Sequence, residues 1–280
     1  MIPVHVARLA AMVLTCLTLA VRPAVAGTYD YVAGHGDIGL SYTNATDALR
    51  IYLNFDASSV VRDMGGTQLS PAELNALQSP AGTGEWSMAE FRVVVPEAQQ
   101  VVRAATSNWN FIGVAAGEPY WELPQSAKAG VPFFGFERRP TTLANATFTL
   151  GNVLLAPAGG VISAWQYDVF GEPDLGTNRY WSTASGFEAA NAITLSQGHQ
   201  HFNFGFSQQG LYQFEIVGTT SATSQTAMGV LTVNVVPEPS SAALGAGGIA
   251  VLFWRLWRRN GSEKSPVGRR RPNHSRFSCK

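Results

Sequence analysis

His199-Gln200-His201-Phe202-Asn203-Phe204-Gly205-Phe206 is followed by Ser207-Gln208-Gln209-Gly210 and then by Leu211-Tyr212-Gln213-Phe214-Glu215-Ile216-Val217. The stretch alternates at period two on both sides of a turn. Residues two apart on a strand share a face. Phe202, Phe204 and Phe206 therefore lie together, opposite His199, His201 and Asn203. Beyond the turn, Tyr212, Phe214 and Ile216 share a face, and the pair reads as a β-hairpin.

The same signal recurs outward from this stretch. Leu49, Ile51, Leu53 and Phe55 alternate with Arg50, Tyr52 and Asn54, as in a half-buried strand. Phe91 to Val95 is a short apolar run ending at Pro96. Residues 147–155 and 161–167 flank the turn composition Ala156-Pro157-Ala158-Gly159-Gly160. Leu231, Val233 and Val235 form a last strand. Helix signals are few. Ser70-Pro71-Ala72-Glu73 is a cap with proline at the first helical position, predicting a short helix to about Leu77. Residues 97–105 are a second candidate. The fold class expected is mainly β: a single β-sandwich-like ectodomain over residues 27–235, with one or two short helices. Its core is expected to include Leu49, Ile51, Leu53, Phe202, Phe204, Phe206, Tyr212 and Phe214.

The formal net charge of zero hides a division. Residues 27–236 carry eight Lys/Arg against seventeen Asp/Glu, whereas residues 254–280 carry nine against one. An acidic domain argues against nucleic acid as a partner. Both cysteines, Cys16 and Cys279, lie outside the domain. It therefore has no disulfide, cysteine nucleophile or thiolate metal site, and its stability rests on an apolar core.

The two ends predict an exported protein. Residues 1–8 are basic, residues 9–21 are apolar, and Ala24-Val25-Ala26 is a small-x-small site, so residues 1–26 read as a cleaved signal peptide. At the other end, Val236-Pro237-Glu238-Pro239-Ser240 precedes an apolar run at 242–254 and the basic cluster Arg255, Arg258 and Arg259. Each proline lacks an N–H and restricts the residue before it, which makes the motif an extended joint. The apolar run is shorter than the roughly 20 residues of a full span, and the arginines mark the cytoplasmic side.

Residues 236–259 resemble the PEP-CTERM sorting signal of exopolysaccharide-producing Gram-negative bacteria. The resemblance implies recognition by an exosortase-type enzyme at the inner membrane, a transient membrane anchor, and a destination at the cell surface or in the extracellular matrix. The polar tail at 260–280, with Arg269-Arg270-Arg271, departs from that pattern.

Of five histidines, three lie in the domain, in Gly34-His35-Gly36-Asp37-Ile38-Gly39 and Gly198-His199-Gln200-His201-Phe202-Asn203. Alternation lets His35 converge with Asp37, and His199 with His201 and Asn203. If the two strands are neighbours, three imidazoles and a carboxylate meet, a set suited to one zinc or similar divalent ion. The same residues also suit a surface hydrogen-bonding cluster that organises strand pairing.

The runs 34–40, Trp109-Asn110-Phe111-Ile112-Gly113, Pro119-Tyr120-Trp121-Glu122-Leu123-Pro124-Gln125 and 198–212 resemble the choice-of-anchor M domain. The last is similar to the actinobacterial surface-anchored repeat through His199, His201, Asn203, Phe204, Phe206, Gly210 and Tyr212. Phe204 stands where tryptophan is common, and Ser207 where threonine is. The resemblance implies a surface protein associated with metal-uptake-like systems, with metal at His35, Asp37, His199 and His201; it does not establish an enzymatic activity, and a non-enzymatic protein is expected.

Two other function classes have sequence features of their own. Trp86, Trp109, Trp121, Trp165 and Trp181 suit stacking on sugars, so binding of exopolysaccharide, or a structural role in the matrix, is the alternative reading. Glu118, Glu122, Glu137, Asp168 and Glu172 supply carboxylates, and a glycoside hydrolase needs two at a defined separation. Scattered acids in an acidic domain read better as loop charges. No serine elbow, phosphate loop or HExxH helix occurs, and no catalytic residue is assigned.

Overall fold

Strand β1, Tyr29–Thr43, organises the molecule. Its first residues pair in parallel with β4 (Phe91–Val95) and antiparallel with β3 (Val60–Asp63). From Gly34 onward it pairs in parallel with β7 (Pro132–Arg139) and antiparallel with β2 (Ala48–Phe55). The computed structural model describes residues 28–174, 180–185 and 192–236. The signal peptide, Pro237, Glu238 and Pro239, Arg255, Arg258, Arg259 and the 260–280 tail lie outside the described residues. Among the described residues no helix is long and apolar enough to cross a membrane.

The remaining strands are β5 (Gln100–Val102), β6 (Pro119–Leu123), β8 (Thr147–Leu155), β9 (Ile162–Trp165), β10 (Tyr180–Ser182), β11 (Ile193–Thr194), β12 (His199–Phe206), β13 (Gly210–Thr219) and β14 (Thr226–Val235). They form one hydrogen-bonded sheet in the order β10-β9-β12-β7-β1-β4-β14-β13-β8-β11, with β2 and β3 on β1 and with β6 joining β12 to β5. The sheet curls. Phe136 on β7 and Phe148 on β8 have four strands between them in this order, yet their ring centroids are 4.6 Å apart. The core lies inside the curl: Ile38, Leu53, Phe91, Val93, Phe134, Phe136, Phe148, Phe202, Phe204, Phe206, Phe214 and Val233 are all buried.

The expected hairpin is not one. β12 pairs with β6, β7 and β9, and β13 pairs with β8 and β14. The Ser207–Gln209 link is an arch: the chain crosses the core rather than doubling back in one plane. Phe206 and Tyr212 meet across it with ring centroids 5.1 Å apart. The Tyr212 hydroxyl donates to the Gln208 carbonyl and accepts from the Gln208 N–H. Apolar faces on both sides of the turn pack on each other, while the backbone groups of β12 and β13 are satisfied by other strands. The true hairpin lies one element later, between β13 and β14. Likewise β8 and β9 flank a turn without pairing.

Leu49 and Ile51 are half-buried rather than internal: β2 lies off the main path of the sheet, and these two residues pack against the edge of the core. Helix α1, Pro71–Ala76, begins at the expected cap: the Ser70 Oγ accepts the Glu73 N–H while the Glu73 carboxylate accepts the Ser70 N–H. The second candidate helix is a single 3-10 turn, Glu97–Gln99, running into β5. Pro96 opens it, and the strand then pairs with β6.

Candidate metal centre

Three adjacent strands build the site. On β7, Gly135 is in register with Asp37 of β1 on one side and with His201 of β12 on the other. Two residue pairs away, and so on the same face, Phe133 is level with His35. His35, Asp37, His199 and His201 thus project from one face of the sheet, two from each flanking strand. A Cβ on Gly135 would stand 2.4 Å from the Asp37 Oδ1 and 2.7 Å from the His201 Cδ2. The central strand leaves the floor open because its residue has no side chain. Phe133 forms one wall, stacked on His35 at 4.9 Å between centroids and edge-on to His201 at 5.3 Å.

One donor atom from each of the four residues lies within 4.8 Å of all the others. The His35 Nε2 is 3.0 Å from the His201 Nε2, 3.3 Å from the His199 Nε2 and 3.2 Å from the Asp37 Oδ2. The His199 Nε2 is 2.8 Å from the Asp37 Oδ1. A tetrahedral zinc site with bonds of about 2.0–2.1 Å has edges of about 3.3 Å, and these four separations are close to that length, so the group could hold one ion. A neutral imidazole has one N–H and one lone pair. The far nitrogen of His35, Nδ1, faces the Asp56 Oδ2 at 3.2 Å. A proton there leaves the Nε2 lone pair directed at two further imidazole nitrogens, an arrangement that a cation relieves.

Asp37 is nearly fully buried. Burial pushes its pKa up, but hydrogen bonds from His199 and His35 outweigh that and hold it at about 2. The two imidazoles 3.0 Å apart shift in opposite directions. His35 is raised, chiefly by its hydrogen bond to Asp37 and against the effect of burial, with Asp56 adding to the rise. His201 is depressed to about 4 by burial and by the neighbouring His199 and His35, which outweigh Asp37. His35, with carboxylates on both ring nitrogens, is the better proton holder of the two.

The four residues named from the sequence lie together, but Asn203, expected on the same strand face as His199 and His201, is turned into the core. Its side chain accepts the Gln125 N–H and donates to the Gln125 side chain and the Trp165 carbonyl. Gly135 and Asp56 were missed. Gly135 carries no local signal, and Asp56 reads as an ordinary turn residue after β2. Trp86, Trp109, Trp121, Trp165 and Trp181 are all buried, which removes them as a sugar-stacking face. The candidate carboxylates are dispersed in other roles. Glu122 accepts the hydroxyls of Tyr120 and Tyr167, Glu172 accepts the Trp109 indole N–H, Asp168 holds its own turn, and Glu137 binds Tyr52 and Arg139. Glu118 is exposed.

No family model matches the chain, and no curated protein matches it.

Proposed function

We propose that this is an exported, non-enzymatic surface protein whose domain binds one divalent metal ion, zinc or similar, through His35, Asp37, His199 and His201. The observation that carries the reading is the convergence of four electron-rich donor atoms from two strands onto one point, over a floor kept open by Gly135. Nitrogen donors with one carboxylate suit zinc and its transition-metal neighbours better than magnesium or calcium, which take mostly oxygen. In this reading the curled sheet is a β-sandwich-like ectodomain of the choice-of-anchor M type, supported by the motif from His199 to Tyr212. It is delivered by the N-terminal signal and sorted through Val236, Pro237, Glu238 and Pro239 by an exosortase-type enzyme at the inner membrane, with Arg255, Arg258 and Arg259 on the cytoplasmic side.

The test is elemental analysis and zinc titration of the purified full chain beside Asp37→Asn and His201→Ala. One ion per wild-type chain and loss in both variants is the expected result. A wild-type chain that takes up no transition metal overturns the reading.

A further inference from the structure

His35 is gripped from outside the cluster by a ring of hydrogen bonds that closes on itself. Its backbone N–H donates to the Ser58 Oγ at 3.1 Å. The Ser58 hydroxyl and backbone N–H both donate to the Asp56 Oδ1, each at 2.6 Å. The other oxygen, Asp56 Oδ2, faces the His35 Nδ1 at 3.2 Å. Close approach of the Ser58 loop depends on Gly34, at φ +91°, where a Cβ would lie 2.1 Å from the Ser58 carbonyl oxygen. The Ser59 hydroxyl donates to the His35 carbonyl from the same loop.

Asp56 touches the side of the imidazole that points away from the cluster, so it is not a ligand. The His35 ring proton has two carboxylates competing for it, Asp56 at Nδ1 and Asp37 at Nε2, both at 3.2 Å. A proton on Nε2 blocks coordination, and a proton on Nδ1 frees the Nε2 lone pair. Committing Oδ1 to Ser58 fixes the direction of Oδ2 and favours the second arrangement.

We infer that Asp56, latched by Ser58, is the positioning residue of the site: it holds His35 in the Nδ1–H form with Nε2 presented to the metal. The inference rests on the metal reading above. Outer partners of metal-bound histidines of this kind typically contribute about 10–100-fold in affinity.

The experiment is competitive zinc titration of the purified full chain at pH 7.5 for wild type, Asp56→Ala and Asp56→Asn. Nitrogen-15 NMR of the zinc-free proteins reports which His35 nitrogen carries the proton. The expected result is a loss of about 10–100-fold in Asp56→Ala, with the proton moved to Nε2. Asp56→Asn, whose amide oxygen still accepts from Nδ1–H, recovers most of the affinity and the wild-type tautomer. Stoichiometric zinc in wild type with unchanged affinity and tautomer in Asp56→Ala overturns the inference and leaves the site standing. Asp56→Asn binding as poorly as Asp56→Ala with an unmoved tautomer also overturns it. A wild-type chain that binds no zinc overturns both readings.

Discussion

The Nε2 atoms of His35 and His201 stand 3.0 Å apart across β7, although 166 positions separate them in the chain. Two lone pairs at that distance repel unless a proton or a metal ion lies between them. A shared proton would make the cluster a hydrogen-bond network, and an ion would make it the proposed metal site.

Substituting the residue between the strands tests the geometry without touching a ligand. Gly135→Ala places a Cβ against Asp37, His201 and the Gln200 carbonyl, the last being backbone that cannot swing aside. Overpacking of this kind costs about 1–3 kcal/mol. Zinc titration should show affinity reduced by at least about tenfold, with the melting temperature lowered in the same sample. Unchanged affinity would mean that the floor of the site is not where Gly135 lies.

Zinc binding should release protons, and His35 contributes to that release near neutrality. Its pKa is raised above the ordinary 6.5, whereas Asp37 is already ionised above about 2 and His201 is neutral above about 4. Affinity should therefore fall on acidification below neutrality. Calorimetry in two buffers of different ionisation enthalpy measures the release directly; a pH-independent affinity between 7.5 and 5.5 would contradict it.

In the metal-free protein His201 should weaken the fold in acid. Its folded pKa of about 4 lies below the unfolded value near 6.5, so the unfolded chain binds more protons between those limits. Stability then rises with pH through that window and is lost as pH falls from about 6.5 to 4. His201→Gln should flatten this part of the profile. Asp37 acts lower: its contribution is present above about 3.8 and disappears as pH falls towards 2. Thermal unfolding in chelator from pH 7 to 3 resolves the two windows.

Phe204 is the place to test the core. It is buried and meets Phe134, Phe136 and Trp181 at 5.9–6.4 Å between ring centroids. Phe204→Ala should cost about 3–5 kcal/mol in urea unfolding. Ile51→Ala, on a half-buried strand, should cost clearly less.

Sorting is tested separately. Glu238→Ala should leave the chain unprocessed and membrane-held in its native envelope, seen as a retained C-terminus by mass analysis. Normal processing of this variant would remove the sorting proposal.

What the sequence made legible follows period and reach. The alternation in β2, β12 and β14, the apolar run of β4 and the helix cap at Ser70 are local and were readable. So were the four donors, because an i, i+2 pair on a strand declares a shared face. The arch at Ser207–Gln209 was not, since a short polar link with apolar flanks serves a hairpin and a core crossing equally well. Asn203 follows the histidines in register, yet β12 passes from β7 to β6 and β9 along its length, and the face that begins at the metal cluster ends inside the core. The roles of Gly135 and Asp56 exist only once non-adjacent strands are side by side.

Strand β1 has a consequence for the order in which the molecule can be completed. A chain emerging N-terminus first presents β1 with β2 and β3 close behind, but its parallel neighbour β7 arrives much later, and His199 follows His35 by 164 residues. Pairings of such sequence separation are slow to form because the intervening loop must close first. Until β12 arrives, only two of the four donors exist, and a pair of that kind holds zinc weakly. Under the metal reading proposed above, ion capture is therefore a late event, and a bound ion would mark a chain in which His35 and His199 have already met.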